Sequence, residues 1–323
     1  MLGERIDSAG RSGIWSGRFV SASVFAAILV WSAPGLVVGE QRSPVPSTVA
    51  NDPPQRDPKY PAAMASFQFP SGGARINAIL MLAAGAEPHP AVLLLHGFPG
   101  YEGILDVGQA IRRAGFNVLA FHYRGAWGSG GSFSFAHCID DAAAAVAFLR
   151  EPEVARRYRV NPARIYAVGH SMGGFVAVML AARDTSIKGI AYISGWDVGN
   201  DASSWHGKPA QAVIDDFQDS SLRLRGTSAT KLMREAMIHS HEWSLAAVAT
   251  RLGDRPVLMT VGEFEEDDNP PAINHEPFRR ALRAVGANLE TQSFPTDHSY
   301  SDRRIALAST IVTWLQRITA AGP

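Results

Sequence analysis

The pentapeptide Gly169-His170-Ser171-Met172-Gly173 sets a serine between an apolar run ending at Val168 and a small-residue helical pattern beginning near Gly174. A serine on such a strand-to-helix turn projects its hydroxyl above the sheet, with a helix N-terminus beneath it. Gly169, Gly173 and Gly174 suit a strained backbone and a close helix–strand approach. A plain turn would carry the same letters. The flanks decide for a nucleophile, because residues 164–168 read as a strand and 175–182 as a helix.

A serine hydroxyl attacks a carbonyl only when a base takes its proton. Of ten histidines, His298 is best placed, in Pro295-Thr296-Asp297-His298-Ser299-Tyr300 between the last strand pattern and the final helix. His170 lies inside the turn, where adjacent side chains diverge. The remaining histidines read as surface or hydrogen-bonded polar residues. The acid that orients the imidazole should fall between the serine and the histidine in chain order. The run from Gly262 to Pro270 is crowded with carboxylates: Glu265 is preferred, Glu266 and Asp267 are the alternatives, and Asp197 after the preceding strand is a weaker choice. Most of that run must be solvated, since one carboxylate can meet the imidazole. The oxyanion of an acyl transfer needs preorganised donors. The amides of Met172 and of Phe98, in the loop His96-Gly97-Phe98-Pro99-Gly100, are the candidates, and His96 reads as a brace for that loop.

Strands and helices alternate around these residues. Residues 67–70 and 75–83 flank Ser71-Gly72-Gly73 as a hairpin, and 91–95 form a solid apolar run of the kind buried on both faces. Helical spacing at 105–114, a strand at 117–122 and an alanine-rich helix at 138–150 precede the serine strand. Strands at 187–194, 256–262 and 289–294 and a helix at 303–318 follow it. The alternation predicts a mostly parallel sheet covered on both faces. Residues 196–253 break the rhythm with helical patterns around 209–218, 229–239 and 243–252. Inserted at the C-terminal ends of the strands, they would form a lid, with Trp196, Trp205 and Trp243 available to an apolar pocket.

The chain has 323 residues and zero formal net charge, enough for one large core and no electrostatic reason for a nucleic-acid partner. Its single cysteine, Cys138, excludes an intramolecular disulfide and reads as a packed residue near a helix start; no Cys/His cluster has zinc-site spacing. Arg5, Arg11 and Arg18 precede an apolar stretch at 19–38, with Val37 and Gly39 placed for cleavage before Glu40. Residues 1–39 are therefore expected to be a secretory signal, or a membrane anchor if retained, and the folded part to lie outside the cytoplasm. Prolines recur through 40–62, which reads as an extended tether ahead of a domain at 63–320.

The elbow, the His-Gly loop and the terminal Asp-His together resemble the α/β-hydrolase superfamily over residues 67–318. His122-Tyr123-Arg124-Gly125-Ala126-Trp127-Gly128-Ser129-Gly130-Gly131 is similar to a loop of serine-aminopeptidase-like, dienelactone-hydrolase-like and prolyl-oligopeptidase-like esterases. The resemblance implies an α/β fold with a mostly parallel eight-stranded sheet, helices on both faces and a helical lid insertion. It also implies hydrolysis of carboxylic esters, sometimes amides, through an acyl-enzyme, with a small-molecule substrate and neither cofactor nor metal. An aspartate would usually stand where Glu265 falls. An acyltransferase or peptidase on the same residues, or a non-catalytic binding protein of the same fold, are the other readings.

Overall fold

Central apolar runs become strands because both faces of the sheet are covered. Alternate residues of a strand point to opposite faces. In the strand His89–Leu95, Ala91, Leu93 and Leu95 join one buried cluster while Val92 and Leu94 join the other. The computed structural model describes residues 45–101, 103–266 and 269–321. The expected leader at 1–39 and the first residues of the tether lie outside them.

The strands are β1 (Ala63–Ser71), β2 (Ala74–Leu82), β3 (His89–Leu95), β4 (Asn117–Phe121), β5 (Val160–His170), β6 (Ile187–Ile193), β7 (Val257–Gly262) and β8 (Leu289–Phe294). They form one eight-stranded sheet in the order β1-β2-β4-β3-β5-β6-β7-β8. The β1–β2 and β2–β4 pairs are antiparallel and the rest parallel. All the catalytic candidates of the sequence follow the C-terminal ends of parallel strands, where open α/β sheets bind ligands.

The helices are α1 (Ser47–Ala50), α2 (Leu105–Arg113), α3 (Phe135–Arg150), α4 (Pro152–Tyr158), α5 (Met172–Arg183), α6 (Val198–Ser204), α7 (Ala210–Ser221), α8 (Ala229–Ile238), α9 (Ser240–Trp243), α10 (Leu245–Val248), α11 (Pro271–Asn274), α12 (Glu276–Ala284) and α13 (Arg304–Ala320). Helices α2 and α13 cover one face; α3, α5 and α12 contribute to the cluster on the other. Helix α5 is buried from Met172 to Ala181, so its sequence is apolar all round. Between β6 and β7, α6 to α10 and a 3-10 turn at Ala249–Leu252 form the helical insertion the broken rhythm predicts.

Two features depart from the sequence expectation. The sequence patterns give no sign of helices α1, α4, α6, α11 and α12. All but α12 span seven residues or fewer, too few turns to set up a readable period, and α12 adds only the short stripe of Phe278 and Leu282. The tether is also docked from residue 45 onward. Arg113 donates Nε to the Thr48 carbonyl at 2.6 Å, and Gly85 donates its amide to the Tyr60 carbonyl at 3.0 Å. A proline-rich segment leaves backbone carbonyls unpaired within itself, and the domain supplies donors to some of them.

The Tyr-Arg-Gly loop after β4 is pinned by a buried ion pair. Asp141 of α3 accepts the Arg124 amide at 2.7 Å, Arg124 Nε at 2.6 Å and the Ser71 hydroxyl at 2.5 Å. Removing one partner of such a pair leaves a buried charge uncompensated. Asp141→Ala is expected to lower the unfolding free energy by about 3 kcal/mol or more. Urea denaturation followed by circular dichroism measures this, and a loss below about 1 kcal/mol would contradict the structural role.

Candidate active site

Ser171 connects β5 to α5 at φ 55° and ψ −123°, a conformation costly for a residue with a Cβ. Its amide donates to the Ile193 carbonyl at 3.0 Å, and its carbonyl accepts the amides of Gly174 at 2.9 Å and Trp196 at 3.0 Å. The glycines make the turn possible. A Cβ on Gly169 would collide with the Gly173 carbonyl, and one on Gly173 with the Leu95 carbonyl. The Ser171 side chain is only partly buried, and its hydroxyl makes no hydrogen bond among the described residues. Hydrogen bonds of this kind often form only once substrate is bound.

His298 Nδ1 lies 2.6 Å from Glu265 Oε2. Glu265 has no exposure. Its carboxylate also accepts the Gly262 amide at 2.9 Å, the Ser194 hydroxyl at 2.9 Å and Asn269 Nδ2 at 3.4 Å. Burial pushes the carboxyl up, but the His298 hydrogen bond, the nearby His275 and His298 charges and the Ser194 hydroxyl outweigh it, so Glu265 lies below its ordinary value. The ionised form persists near neutral pH, and Nδ1 of His298 is then the proton-bearing nitrogen.

Backbone bonds join the two loops. Glu263 donates to the Phe294 carbonyl at 2.8 Å and Phe264 to the Thr296 carbonyl at 3.0 Å. His170 Nε2 lies 2.9 Å from the His298 carbonyl, and the two rings are 4.8 Å apart. The histidine loop is thereby fixed to the residue that precedes Ser171. Burial, followed by the His298 charge, pushes His170 down to about 4, so its imidazole is neutral and serves as a tie.

Glu266 and Asp197 stand elsewhere. Glu266 is exposed, and Asp267 lies outside the described residues. Asp197 caps α6, accepting the Asn200 amide at 3.0 Å and the Leu245 amide at 3.2 Å. Burial pushes Asp197 up to about 7. Its work is to close the start of the insertion.

Opposite the histidine, the His-Gly loop touches the serine. A Cβ on Gly97 would lie 2.9 Å from Ser171 Cβ, so only glycine allows this approach. The next amide belongs to Phe98, and Met172 opens α5; neither amide has a hydrogen-bond partner among the described residues. His96 braces the loop through Nδ1 to the Gly97 carbonyl at 2.7 Å. The Phe98 ring packs 5.8 Å from Phe133, 6.0 Å from Phe135, 5.8 Å from Phe217 and 6.4 Å from Trp196. Trp196 is half-buried beside the serine, whereas Trp205 and Trp243 are core residues.

The insertion is bonded to the domain at this wall. Glu235 of α8 accepts the amides of Phe135 and Ala136 at 3.0 Å, capping α3, and Arg225 donates to the Gly125 carbonyl at 2.7 Å. Among the described residues no group of three His, Cys, Asp or Glu could hold a metal. A cleft of about 790 Å³ lined by Arg164, Lys188, Arg251 and Arg255 opens at the N-terminal ends of the parallel strands, away from Ser171. Sequence reasoning missed Ser194, Asn269 and Tyr300, whose roles arise from convergence behind Glu265. Tyr300 stands two residues after His298, the one local signal available.

A family model for the alpha/beta hydrolase fold matches residues 90–300. Among curated proteins none matches the chain in sequence. Est1E from Butyrivibrio proteoclasticus, solved with ferulic acid bound, is similar with TM-score 0.61 and 19% identity, covering 79% of this chain and 99% of that one. Pyrococcus horikoshii acylaminoacyl peptidase matches with TM-score 0.58 and 17% identity over 79% of this chain and 41% of its own. Puromycin hydrolase matches with TM-score 0.62 and 18% identity over 83% of this chain and 41% of its own. The chain thus spans about two-fifths of the latter two proteins. At these identities the likeness is one of fold.

The lowered Glu265 carboxyl has a consequence for stability. A carboxylate whose folded value lies below its unfolded one contributes stability above the unfolded value, lost as pH falls through the folded value. The difference in unfolding free energy between the parent and Glu265→Gln should narrow as pH falls below about 4.5. Denaturant titrations across that range measure the difference, and a gap that fails to narrow below that pH would show the opposite shift.

Proposed function

Because the chain belongs to the α/β-hydrolase family, we propose that it is a serine hydrolase that cleaves carboxylic esters through an acyl-enzyme. The observation that carries the reading is the 2.6 Å contact between His298 and buried Glu265, on a loop tied to the residue before Ser171. Ser171 Oγ attacks the carbonyl carbon and its proton passes to His298 Nε2. Glu265 holds the Nδ1 proton and stabilises the imidazolium. The carbonyl oxygen takes the negative charge and is met by the amides of Phe98 and Met172. Collapse of the tetrahedral species expels the alcohol, which leaves with the proton from Nε2. Water then repeats the sequence on the acyl-enzyme, giving the acid and free Ser171.

The aromatic wall of Phe98, Phe135, Trp196 and Phe217 supports an apolar or aromatic group on the substrate. The ferulic acid bound to Est1E is a group of that kind. The insertion at 196–253 supports a covering role, since it supplies Trp196 and Phe217 to the wall. The basic, apolar and small order of residues 5–39 supports an exported enzyme.

The purified protein should hydrolyse p-nitrophenyl esters and be labelled at Ser171 by a fluorophosphonate. Ser171→Ala is expected to lower kcat by about 10⁴-fold or more and abolish labelling. A folded parent protein that takes no label overturns the reading. Trp196→Ala should raise KM about ten-fold for an aryl or long-chain acyl ester and leave that for an acetyl ester nearly unchanged, because the lost contact is apolar. Equal effects on both substrates would remove Trp196 from the substrate wall.

A further inference from the structure

The hydroxyl groups behind Glu265 form a chain with a direction. Thr260 Oγ1 lies 2.8 Å from Tyr300 Oη, Tyr300 Oη lies 2.9 Å from Ser194 Oγ, and Ser194 Oγ lies 2.9 Å from Glu265 Oε1. All four residues have no exposure. Each hydroxyl carries one proton and an ionised carboxylate carries none. The Ser194 proton therefore goes to Glu265. Its oxygen then accepts from Tyr300, whose oxygen accepts from Thr260. The Gly262 amide, 2.9 Å from Oε1 and 3.3 Å from Ser194 Oγ, holds the same end of the carboxylate.

The backbone gives independent testimony. Among the described residues, Ile104, Trp127, Arg159, Ser171, Ser194 and Tyr300 are the non-glycine residues with positive φ. Ser194 stands at φ 39° and Tyr300 at φ 56°, in the left-handed region where glycine is at ease. Strain of this kind persists where surrounding structure over-determines a useful side chain. At both positions the side chain that glycine would lack is the one that supplies the hydroxyl.

We propose that Ser194 and Tyr300 are positioning residues that lock Glu265 Oε1 through an ordered hydroxyl relay, so that Oε2 faces His298 Nδ1 as an ionised carboxylate. The proposal rests on Ser171 as nucleophile and concerns what keeps its base oriented. Without the Ser194 proton the carboxylate is less stabilised and more basic, and the Glu265–His298 pair takes up a proton at higher pH. The other groups that face the pair are His170 from β5, Tyr192 from β6, His275 between α11 and α12 and Asp297 beside the histidine, with Arg304 at the start of α13 acting on His170. None of them is altered in the variants below.

The test compares the full-length parent with Ser194→Ala, Ser194→Gly, Tyr300→Phe and the Ser194→Ala/Tyr300→Phe double variant. The readouts are the pH dependence of fluorophosphonate labelling, kcat and KM on a p-nitrophenyl ester, thermal melting, and the low-field proton resonance of His298 Nδ1–H. Ser194→Gly relaxes the backbone while deleting the hydroxyl, so its melting temperature should be at least that of Ser194→Ala. Both variants should lose about ten-fold in kcat at unchanged KM, with the acid limb of labelling moved to higher pH. Tyr300→Phe should show a smaller shift of the same sign. The double variant should be no worse than Ser194→Ala, because Tyr300 acts through Ser194. A parent-like acid limb in Ser194→Gly overturns the proposal, as does strict additivity in the double variant. If the parent takes no label, the nucleophile reading fails and the resonance decides: its loss in Ser194→Gly supports the relay, and its persistence unchanged overturns it.

Discussion

A carboxylate with no exposure is the constraint around which this end of the molecule is arranged. An ion of that kind costs several kcal/mol to bury unless donors replace the lost water. Glu265 has four: the Gly262 amide, the Ser194 hydroxyl, Asn269 Nδ2 and His298 Nδ1. They come from the end of β7, the residue after β6, the loop before α11 and the loop after β8. Each must arrive for the charge to be tolerable, so the carboxylate enforces the register of three strand ends. Asn269 serves twice, since it also donates to the Ser194 carbonyl at 3.1 Å and fixes the residue whose hydroxyl meets Glu265.

The serine is placed by exclusion of side chains. Helix α5 lies so close to β5 and β3 that Gly169 and Gly173 admit no Cβ, and Gly97 presses on Ser171 from the facing loop. Packing of this density transmits position, because a displaced neighbour has nowhere to go. Ser171 is therefore located by backbone contacts, His298 by the carboxylate. The two halves meet through His170, whose Nε2 holds the His298 carbonyl while its own backbone continues into Ser171. A neutral, buried imidazole is suited to this tie, since burial keeps it uncharged and its hydrogen bond to the His298 carbonyl needs no charge.

Strands buried on both faces and the glycine-flanked serine were legible in the sequence because their signals are local. β8 falls on residues 289–294 in both readings, and β3 and β6 agree to within two residues at each end. Fold class followed from the alternation. What was hidden lacked local periodicity or depended on convergence. Helix α4 has seven residues and buries none of them fully, its Ala155 and Tyr158 only half-covered against the core. Counting along the four successive acids 265–268 prefers Glu265 but leaves Glu266 and Asp267 open, because only the tertiary structure shows that Glu265 turns inward while Glu266 faces water. Ser194 and Tyr300 are unremarkable in sequence; they matter through a chain of hydroxyls spanning 106 positions.

Helix α5 also joins the two ends of the sheet electrostatically. Its N-terminus presents the Met172 amide beside Ser171, at the positive end of the helix dipole. Its C-terminus needs the opposite charge, and Arg255 supplies it, donating Nη1 to the Ala181 carbonyl at 2.7 Å and the Asp184 carbonyl at 3.1 Å. The cations that line the basal cleft, Arg164, Lys188 and Arg251 among them, lie at this same end of the strands. Parallel strands with returning helices put helix C-termini at that edge and N-termini at the other. The polarity of the fold thus separates a cation-rich base from an amide-rich rim. A reaction that develops negative charge on oxygen is favoured at the rim and opposed by the carbonyl ends at the base. The same topology that gathers Ser171, His298 and Glu265 therefore also selects the sign of charge their neighbourhood can stabilise.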